Sequence, residues 1–224
     1  MSIQAVLGFD METDIGSFTP FYEGLVHGTP AILEILSRHG VTATFFFTGD
    51  AARKHPSVVE RVQEAGHEIG SHSLFHETVG DPLFDIPGLV PLLPEEVEHR
   101  LALNTDRMYP SAWIEGIAGM RPVSFRAPRL FGSTAVVCAL EKLGYVADAS
   151  YPMYYYRDRL RPYHPSREDW TKKGDMAIVE LPNLADLRMY PSAVDPVEGP
   201  LRARPGSVAP VPYAGSRGTA PTHR

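Results

Sequence analysis

The chain lacks the features of several protein classes. Its 224 residues contain no apolar run near the roughly 18 residues of a membrane-spanning helix, so we expect no membrane partner. Lys and Arg number 21 against 27 Asp and Glu, and the net charge of −6 provides no basic surface for nucleic acid. The single cysteine, Cys138, excludes an intramolecular disulfide, and its helix-like surroundings indicate a packing residue.

The N-terminus lacks the basic segment and small-residue cleavage site of a secretory signal. We therefore expect a cytoplasmic protein, in agreement with the lone thiol. Residues 200–224 lack acids and hold five Pro, three Gly and four Arg, so we expect a domain over residues 1–199 and a disordered tail after it. The composition of the tail would also suit translation in a shifted reading frame.

Short apolar or β-branched runs alternate with longer helical patterns along the chain. The runs predict strands at residues 3–9, 41–48, 67–71, 123–125, 145–147 and 177–181. The helical patterns cover residues 29–39, 57–65, 94–108 and 134–143. This β-α rhythm predicts an α/β fold with a parallel sheet, either open or closed into a barrel.

Four polar residues stand at the ends of predicted strands: Asp10, His72, Arg126 and Asp148. The carboxyl ends of parallel strands meet at one edge of a sheet, and catalytic residues gather there. The coincidence predicts a single active site.

A pair of histidines, His72 and His76, has a spacing suited to binding a metal ion. On a helix, residues four apart point to one side about 6 Å apart, so both rings could reach one divalent cation. A carboxylate from the segment around Asp10 would complete the ligands, and a second carboxylate could accept a proton from the metal's water. The pair alone is a weak signal, and the other segments strengthen it.

Together these segments make the chain similar to the polysaccharide deacetylase (NodB homology) family of carbohydrate esterases. Four of the family's five motifs are recognisable over about residues 5–152. The resemblance implies a distorted, incomplete (β/α) barrel and one divalent metal ion, which we expect to be Zn²⁺. It also implies that a metal-bound water attacks the acetyl carbonyl of an N-acetylated or O-acetylated carbohydrate.

The first two motifs supply a base and the metal ligands. Residues 9–12, Phe-Asp-Met-Glu, resemble a spaced form of the first motif, which implies Asp10 as catalytic base and Glu12 as ligand. Asp14 is a substitute for Glu12. Residues 72–76, His-Ser-Leu-Phe-His, match the second motif, which implies His72 and His76 as the remaining ligands.

The third and fourth motifs add residues around the base. Residues 125–128, Phe-Arg-Ala-Pro, match the third motif and imply that Arg126 keeps Asp10 ionised, with Pro128 at the substrate. Residues 148–150, Asp-Ala-Ser, partly match the fourth, in which the aspartate orients a general acid. An aromatic residue lining the acetyl pocket is expected next: Tyr151, with Tyr154, Tyr155 and Tyr156 as alternatives.

The fifth motif, a Leu-x-His on the last strand, is missing. Residues 180–183 read Glu-Leu-Pro-Asn, and only His164 and His223 follow Asp148, neither in suitable surroundings for the general acid. We therefore expect the last strand or strands of the barrel to be absent, which leaves a sheet edge unpaired.

Three functions follow from these patterns. The first is a hydrolase that removes acetyl groups from carbohydrate. The second is a cyclic amide or ureide hydrolase of the same superfamily, acting on a small amide. The third is a truncated or frame-shifted copy that keeps the metal site without turnover, because loss of a general acid costs about 10²–10⁴-fold in rate.

Overall fold

The computed structural model describes residues 5–17, 19–84, 88, 90–103, 113–153 and 161–184. The predicted tail lies outside the described residues, as do four side chains considered above: Tyr154, Tyr155, Tyr156 and His223. The domain boundary predicted at residue 199 therefore stays a prediction.

Six short strands form one parallel sheet. The strands of the described chain are β1 (Gly8–Met11), β2 (Asp14–Ser17), β3 (Thr44–Phe47), β4 (Glu68–Ser71), β5 (Ser124–Phe125), β6 (Ala147–Asp148) and β7 (Val179–Glu180). All except β2 belong to the sheet, in the order β1-β3-β4-β5-β6-β7. The order follows the chain, as in a (β/α) barrel, but β1 and β7 remain its two edges in the described part. The prediction of an α/β fold of the incomplete-barrel type is confirmed.

Helices lie in the connections between the strands of the sheet from β1 to β6. They are α1 (Thr29–His39), α2 (Gly49–Lys54), α3 (Pro56–Glu64), α4 (Pro94–Leu103), α5 (Trp113–Ala118) and α6 (Thr134–Lys142), with a π-helical turn (Gly24–Gly28) before α1 and a 3₁₀ turn (Pro128–Leu130) after β5. No helix within the described residues combines the length and apolar character needed to cross a bilayer.

Helix α1 has the bounds that its sequence predicts. Proline lies in its first turn, and Leu33 and Leu36 bury one face. Gly40 then adopts a φ of 61°, and its amide donates to the carbonyls of Leu36 and Ser37. A residue without a Cβ tolerates this left-handed conformation, so the helix ends there.

Other elements differ from their predicted bounds. The strand predicted at residues 3–9 begins at Gly8, and the strand predicted at residues 41–48 begins at Thr44, after the exposed Val41 and Thr42. Helices α2 and α5 and strand β2 were not predicted. They have six, six and four residues, too few for a periodic pattern to stand out.

Two apolar clusters hold the layers together. One joins β1, β3 and β4 to the helices over them, with Phe45 and Val59 fully buried. The other joins β5 to α4, α6 and the segment before β7, with Phe125 and Leu140 fully buried. Cys138 packs, partly buried, against the second cluster, in keeping with the packing role expected of it.

Candidate active site

The carboxyl end of the sheet gathers the residues singled out in the sequence. Asp10 lies in the last half of β1, and Asp148 is the last residue of β6. His72 directly follows β4, and Arg126 directly follows β5. Because the strands are parallel neighbours, these residues stand along one edge, as the sequence predicted.

Three candidate ligand atoms converge at this edge. Glu12, His72 and His76 each offer one atom, and all three atoms lie within 4.8 Å of one another. Glu12 Oε2 is 2.6 Å from His76 Nε2 and 3.8 Å from His72 Nε2. Ligands that share one zinc ion at bonds of about 2.0–2.2 Å lie roughly 3–4 Å apart, so the 3.8 Å separation has this spacing and the 2.6 Å separation is shorter.

The polar atoms of this cluster fit a metal ion on chemical grounds. Glu12 Oε2 is buried, and its contacts with the His72 and His76 ring nitrogens lack hydrogen-bond geometry, so a cation between the three atoms would satisfy it. One carboxylate and two imidazoles are a donor set that suits zinc. The residues at this edge of the sheet therefore fit a divalent metal ion.

His72 is held in the tautomer that a metal ligand needs. Its Nδ1 lies 2.6 Å from the Arg126 carbonyl oxygen, which can only accept, so Nδ1 donates and Nε2 carries the free lone pair. Burial lowers the pKa of His72, which favours the neutral ring. His76 differs, because its Nδ1 is buried without a hydrogen-bond partner among the described residues.

The histidine pair does not lie on a helix. Residues 72–76 form a loop, in which Ser73 and His76 have positive φ values of 63° and 59°. The helical geometry suggested by the spacing is therefore wrong, although the ring centroids still lie 5.2 Å apart. Non-glycine residues in this conformation are uncommon, and they cluster at functional sites.

Two backbone hydrogen bonds tie this loop to α2. The amide of Gly49 donates to the Ser73 carbonyl at 3.0 Å, and the amide of Asp50 donates to the Leu74 carbonyl at 2.9 Å. The first turn of α2 therefore fixes the loop that carries the histidines.

Asp10 and Arg126 form an ion pair beside the ligand cluster. Arg126 Nη1 donates to Asp10 Oδ1 at 2.8 Å, and the guanidinium lies 4.4 Å from the centroid of the Phe46 ring. Burial acts to raise the pKa of Asp10, but the charge of His72 in acid and the Arg126 guanidinium outweigh it and lower that pKa. Asp10 is therefore ionised at neutral pH.

The position of the guanidinium depends on a glycine in β1. A Cβ added to Gly8 would lie 2.5 Å from Arg126 Nη2. A hydrogen atom at this position therefore makes the room in which Arg126 reaches Asp10.

Asp148 has a buried carboxyl partner that the sequence did not reveal. Asp148 and Glu180 are register partners on β6 and β7, and both are fully buried. Burial raises the pKa of Asp148 to about 6. Burial together with the adjacent Asp148 charge raises the pKa of Glu180 well above its usual value, so Glu180 holds the proton of the pair.

This pair is further bonded to the loop after β6. Ser150 Oγ donates to Asp148 Oδ1 at 2.5 Å, and the Tyr151 amide donates to Glu180 Oε1 at 2.8 Å. Asp148 thus lies in a hydrogen-bonded network beneath the surface, with no exposed atom to touch a substrate.

Three other predicted residues are placed away from an open pocket. Asp14 is not in the ligand cluster, because its carboxylate accepts from the amides of Glu23 and Gly24. The Tyr151 ring is fully buried, edge-on to Tyr163 and Trp170 in the second apolar cluster, and so does not line an acetyl pocket. Pro128 is also buried, at the start of the 3₁₀ turn.

The remaining histidines have structural contacts. His67 is buried and its Nδ1 accepts a hydrogen bond from the Ala43 amide, as expected for a structural residue. His164 Nδ1 lies 2.8 Å from the Met176 carbonyl in the loop before β7. Arg129 was missed in the sequence: it has a φ of 59°, and its guanidinium donates to the His76 carbonyl at 3.1 Å.

Comparisons with known proteins agree with this geometry. The profile of the polysaccharide deacetylase family matches residues 14–147, which lie between Asp10 and Glu12 on one side and Asp148 on the other. Peptidoglycan-N-acetylmuramic acid deacetylase PdaA of Bacillus subtilis is 29% identical over 129 residues, 57% of this chain and 43% of that protein. Chitooligosaccharide deacetylase of Azorhizobium caulinodans is 35% identical over 117 residues, 52% of this chain and 48% of that protein.

A solved structure is similar as well. The crystal structure of a polysaccharide deacetylase candidate from Mycobacterium smegmatis superposes with a TM-score of 0.60 at 25% identity, covering 80% of this chain and 58% of that one. The matched regions span less than half the length of the two relatives above.

Proposed function

Because the chain belongs to the polysaccharide deacetylase family, we propose that it is a metal-dependent hydrolase that removes the acetyl group from an N-acetylated carbohydrate. The observation that carries the proposal is the convergence of Glu12, His72 and His76 beside the Asp10–Arg126 ion pair. The names of two relatives, which act on N-acetylmuramic acid in peptidoglycan and on chitooligosaccharides, favour a polymer of acetylated amino sugars as substrate.

We assign the metal to the three converging residues. Glu12, His72 and His76 would hold one divalent ion, and their nitrogen and oxygen donors favour zinc. When bound, zinc would supply Lewis acidity there, because it would lower the pKa of bound water towards neutrality and polarise a carbonyl oxygen. His72 keeps its Nε2 free for this role by donating from Nδ1 to the Arg126 carbonyl.

Asp10 would act as the general base. Arg126 occupies Oδ1, so Oδ2 is the oxygen that can accept a proton from the attacking water. The remaining hydroxide forms the new C–O bond as the C–N bond breaks, and the products are acetate and a free amine. The proton held at Oδ2 is then available to the leaving nitrogen.

Arg126 and the Asp148–Glu180 pair would position this base. The Arg126 side chain is 13% exposed and also donates from Nε to the Ala149 carbonyl at 3.3 Å, which anchors it between β1 and the end of β6. Asp148 is fully buried, so its contribution is the charge and hydrogen bonding that it provides behind Arg126.

The test is acetate release by the full chain. Zinc-loaded protein is incubated with chitooligosaccharides, peptidoglycan fragments and small cyclic amides, and acetate or ring opening is measured. We expect acetate from one of the sugars, and Asp10→Asn should lower its release by about 10²–10⁴-fold with zinc content unchanged. Asp81→Asn, at an exposed acid, is the matched control.

Zinc content tests the ligand assignment separately. His72→Ala should lose bound zinc, whereas His39→Ala, at an exposed histidine, should retain it. Equal zinc content in the two variants would contradict the ligand assignment. Loss of zinc in Asp10→Asn would contradict the role of Asp10 as base.

A metal-binding copy without turnover is the second candidate. The observation that favours it is that no Leu-x-His follows Asp148 in the sequence, where residues 180–183 read Glu-Leu-Pro-Asn. Stoichiometric zinc with no product from any of the three substrate classes would support this candidate against the hydrolase.

A further inference from the structure

A pocket of about 390 Å³ opens beside the metal ligands. Glu12 and His76 line it, and so do Tyr22, Asp50 and Lys54. Ligand pockets range from about 300 to 1,000 Å³, so this one is of a size for a single small ring with its substituents.

The wall formed by Tyr22, Asp50 and Lys54, here called the polar wall, is ordered by its own hydrogen bonds. Tyr22 Oη donates to Asp50 Oδ2 at 2.6 Å, and Lys54 Nζ donates to the same oxygen at 2.7 Å. Burial acts to raise the pKa of Asp50, but the hydrogen bonds from Lys54 and Tyr22 lower it, so the carboxylate stays charged.

The polar wall has a fixed position relative to the metal ligands. Asp50 lies in the first turn of α2, and its amide donates to the Leu74 carbonyl in the loop between His72 and His76. Movement of this turn would therefore move the histidine loop. Phe75, from the same loop, also lines the pocket and is 50% exposed.

The residues of the polar wall are unusual for a structural ion pair. A pair of charges four residues apart on a helix surface contributes little to stability, yet here Asp50 is only 16% exposed and joins a tyrosine from a distant loop. Carboxylate, ammonium and phenol groups at a pocket wall offer acceptors and donors suited to vicinal hydroxyl groups. The exposed Phe75 ring offers an apolar face.

We propose that the polar wall binds the hydroxyl groups of the pyranose ring whose acetamido group lies at Glu12 and His76, with Phe75 against the apolar face of that ring. This specificity role rests on the proposed function for the position of the acetamido group.

Sugar binding to a catalytically inactive variant tests the proposal. The full chain carrying Asp10→Asn is loaded with zinc, and its Kd for N-acetylglucosamine and its trimer is measured by calorimetry or NMR titration. Adding Asp50→Ala should raise the Kd about tenfold or more, equivalent to about 1.4 kcal/mol. Tyr22→Phe, which deletes one hydroxyl and keeps the ring, should raise it by a smaller factor.

A second ion pair provides the matched control. Arg38 and Glu34 form a pair four residues apart on α1, with side chains 65% and 70% exposed. Glu34→Ala removes a charge of the same kind and should leave the Kd unchanged. In the enzyme with Asp10 intact, Asp50→Ala should raise KM and leave kcat within about twofold, because it removes ground-state and transition-state binding equally.

The outcomes separate this proposal from the proposed function. If Asp50→Ala weakens sugar binding but the enzyme with Asp10 intact releases no acetate, the hydrolase proposal is overturned and the role of the polar wall in binding stands. Acetate release with the same Kd and KM in Asp50→Ala and Glu34→Ala would overturn the polar wall alone. Absence of binding of either sugar to the zinc-loaded protein would also overturn it.

Discussion

Arg126 connects the parts of the site through three separate contacts. Its carbonyl fixes the tautomer of His72, its guanidinium pairs with Asp10, and the same group lies over the Phe46 ring. A cation held in this way keeps a neighbouring carboxylate ionised, which a catalytic base requires. Gly8 is the residue that leaves space for this arrangement.

Gly8→Ala should therefore impair the function of Asp10 as base more than it lowers the stability of the fold. The new Cβ would lie 2.5 Å from Arg126 Nη2, at the flexible end of that side chain, so the guanidinium should move away from Asp10. We expect acetate release to fall at least tenfold with zinc content unchanged. Gly116→Ala, whose Cβ meets open space, is the control, and equal activity in the two variants would contradict the argument.

Glu180 offers a second prediction for a single residue. Its pKa and that of Asp148 are raised by burial, so the folded state binds more protons than the unfolded state above the usual carboxyl pKa values. Stability from this pair is therefore present in acid and lost as pH rises through the folded pKa, which is about 6 for Asp148.

Glu180→Gln should remove much of that loss. The free energy of unfolding of the variant, relative to the original chain, should increase by more than about 1 kcal/mol between pH 4.5 and pH 8, since one pKa unit is worth about 1.4 kcal/mol. Urea titrations across this range measure it. Glu60→Gln, at an exposed acid, should show no such trend. If the free energies of unfolding of Glu180→Gln and of the original chain ran parallel across this pH range, the prediction would be wrong.

The sequence predicted best those helices whose ends are marked by residues such as proline and glycine. Helix α1 has its predicted bounds because proline begins it, leucines bury one face and Gly40 ends it. Helix α2 was missed because six residues starting with glycine carry no periodic signal, and Thr48 caps it only by accepting from the Ala51 amide.

The end of α1 provides a prediction for one element. Gly40 has a φ of 61°, so Gly40→Ala should lower the free energy of unfolding by about 1–2 kcal/mol. Gly40→Asn should cost less, because asparagine tolerates this conformation better. Gly28→Ala, at the opposite end with a φ of −77°, should be neutral or stabilising. A denaturant midpoint for Gly40→Ala no lower than that for Gly28→Ala would contradict this reading.

The active-site residues were predictable where a short motif places them at strand ends. Asp10, Glu12, His72 and Arg126 come from such segments, and parallel strand pairing brings them together without further information. The polar wall was not predictable, because Tyr22 reaches Asp50 across 28 positions of the chain. The Asp148–Glu180 pair depends likewise on the register of β6 with β7.

At the scale of the whole molecule, the metal site is shared among separate strands of one sheet. Glu12 follows β1, and His72 follows β4, with β3 between these strands. An unfolded chain would not hold the three ligands together. Metal binding should therefore be coupled to folding of the sheet, so that zinc stabilises the entire domain.

Thermal unfolding with and without zinc measures this coupling. A ligand present at about a hundred times its Kd stabilises by about 2.7 kcal/mol, which for a chain of this size corresponds to a rise in Tm of about 5–10 °C. EDTA should reverse the rise. Glu12→Ala and His72→Ala should abolish it, whereas Asp10→Asn and His39→Ala should keep it, because neither side chain is among the three converging ligands. A zinc-dependent rise of equal size in His72→Ala would mean that zinc stabilises the chain from some other site.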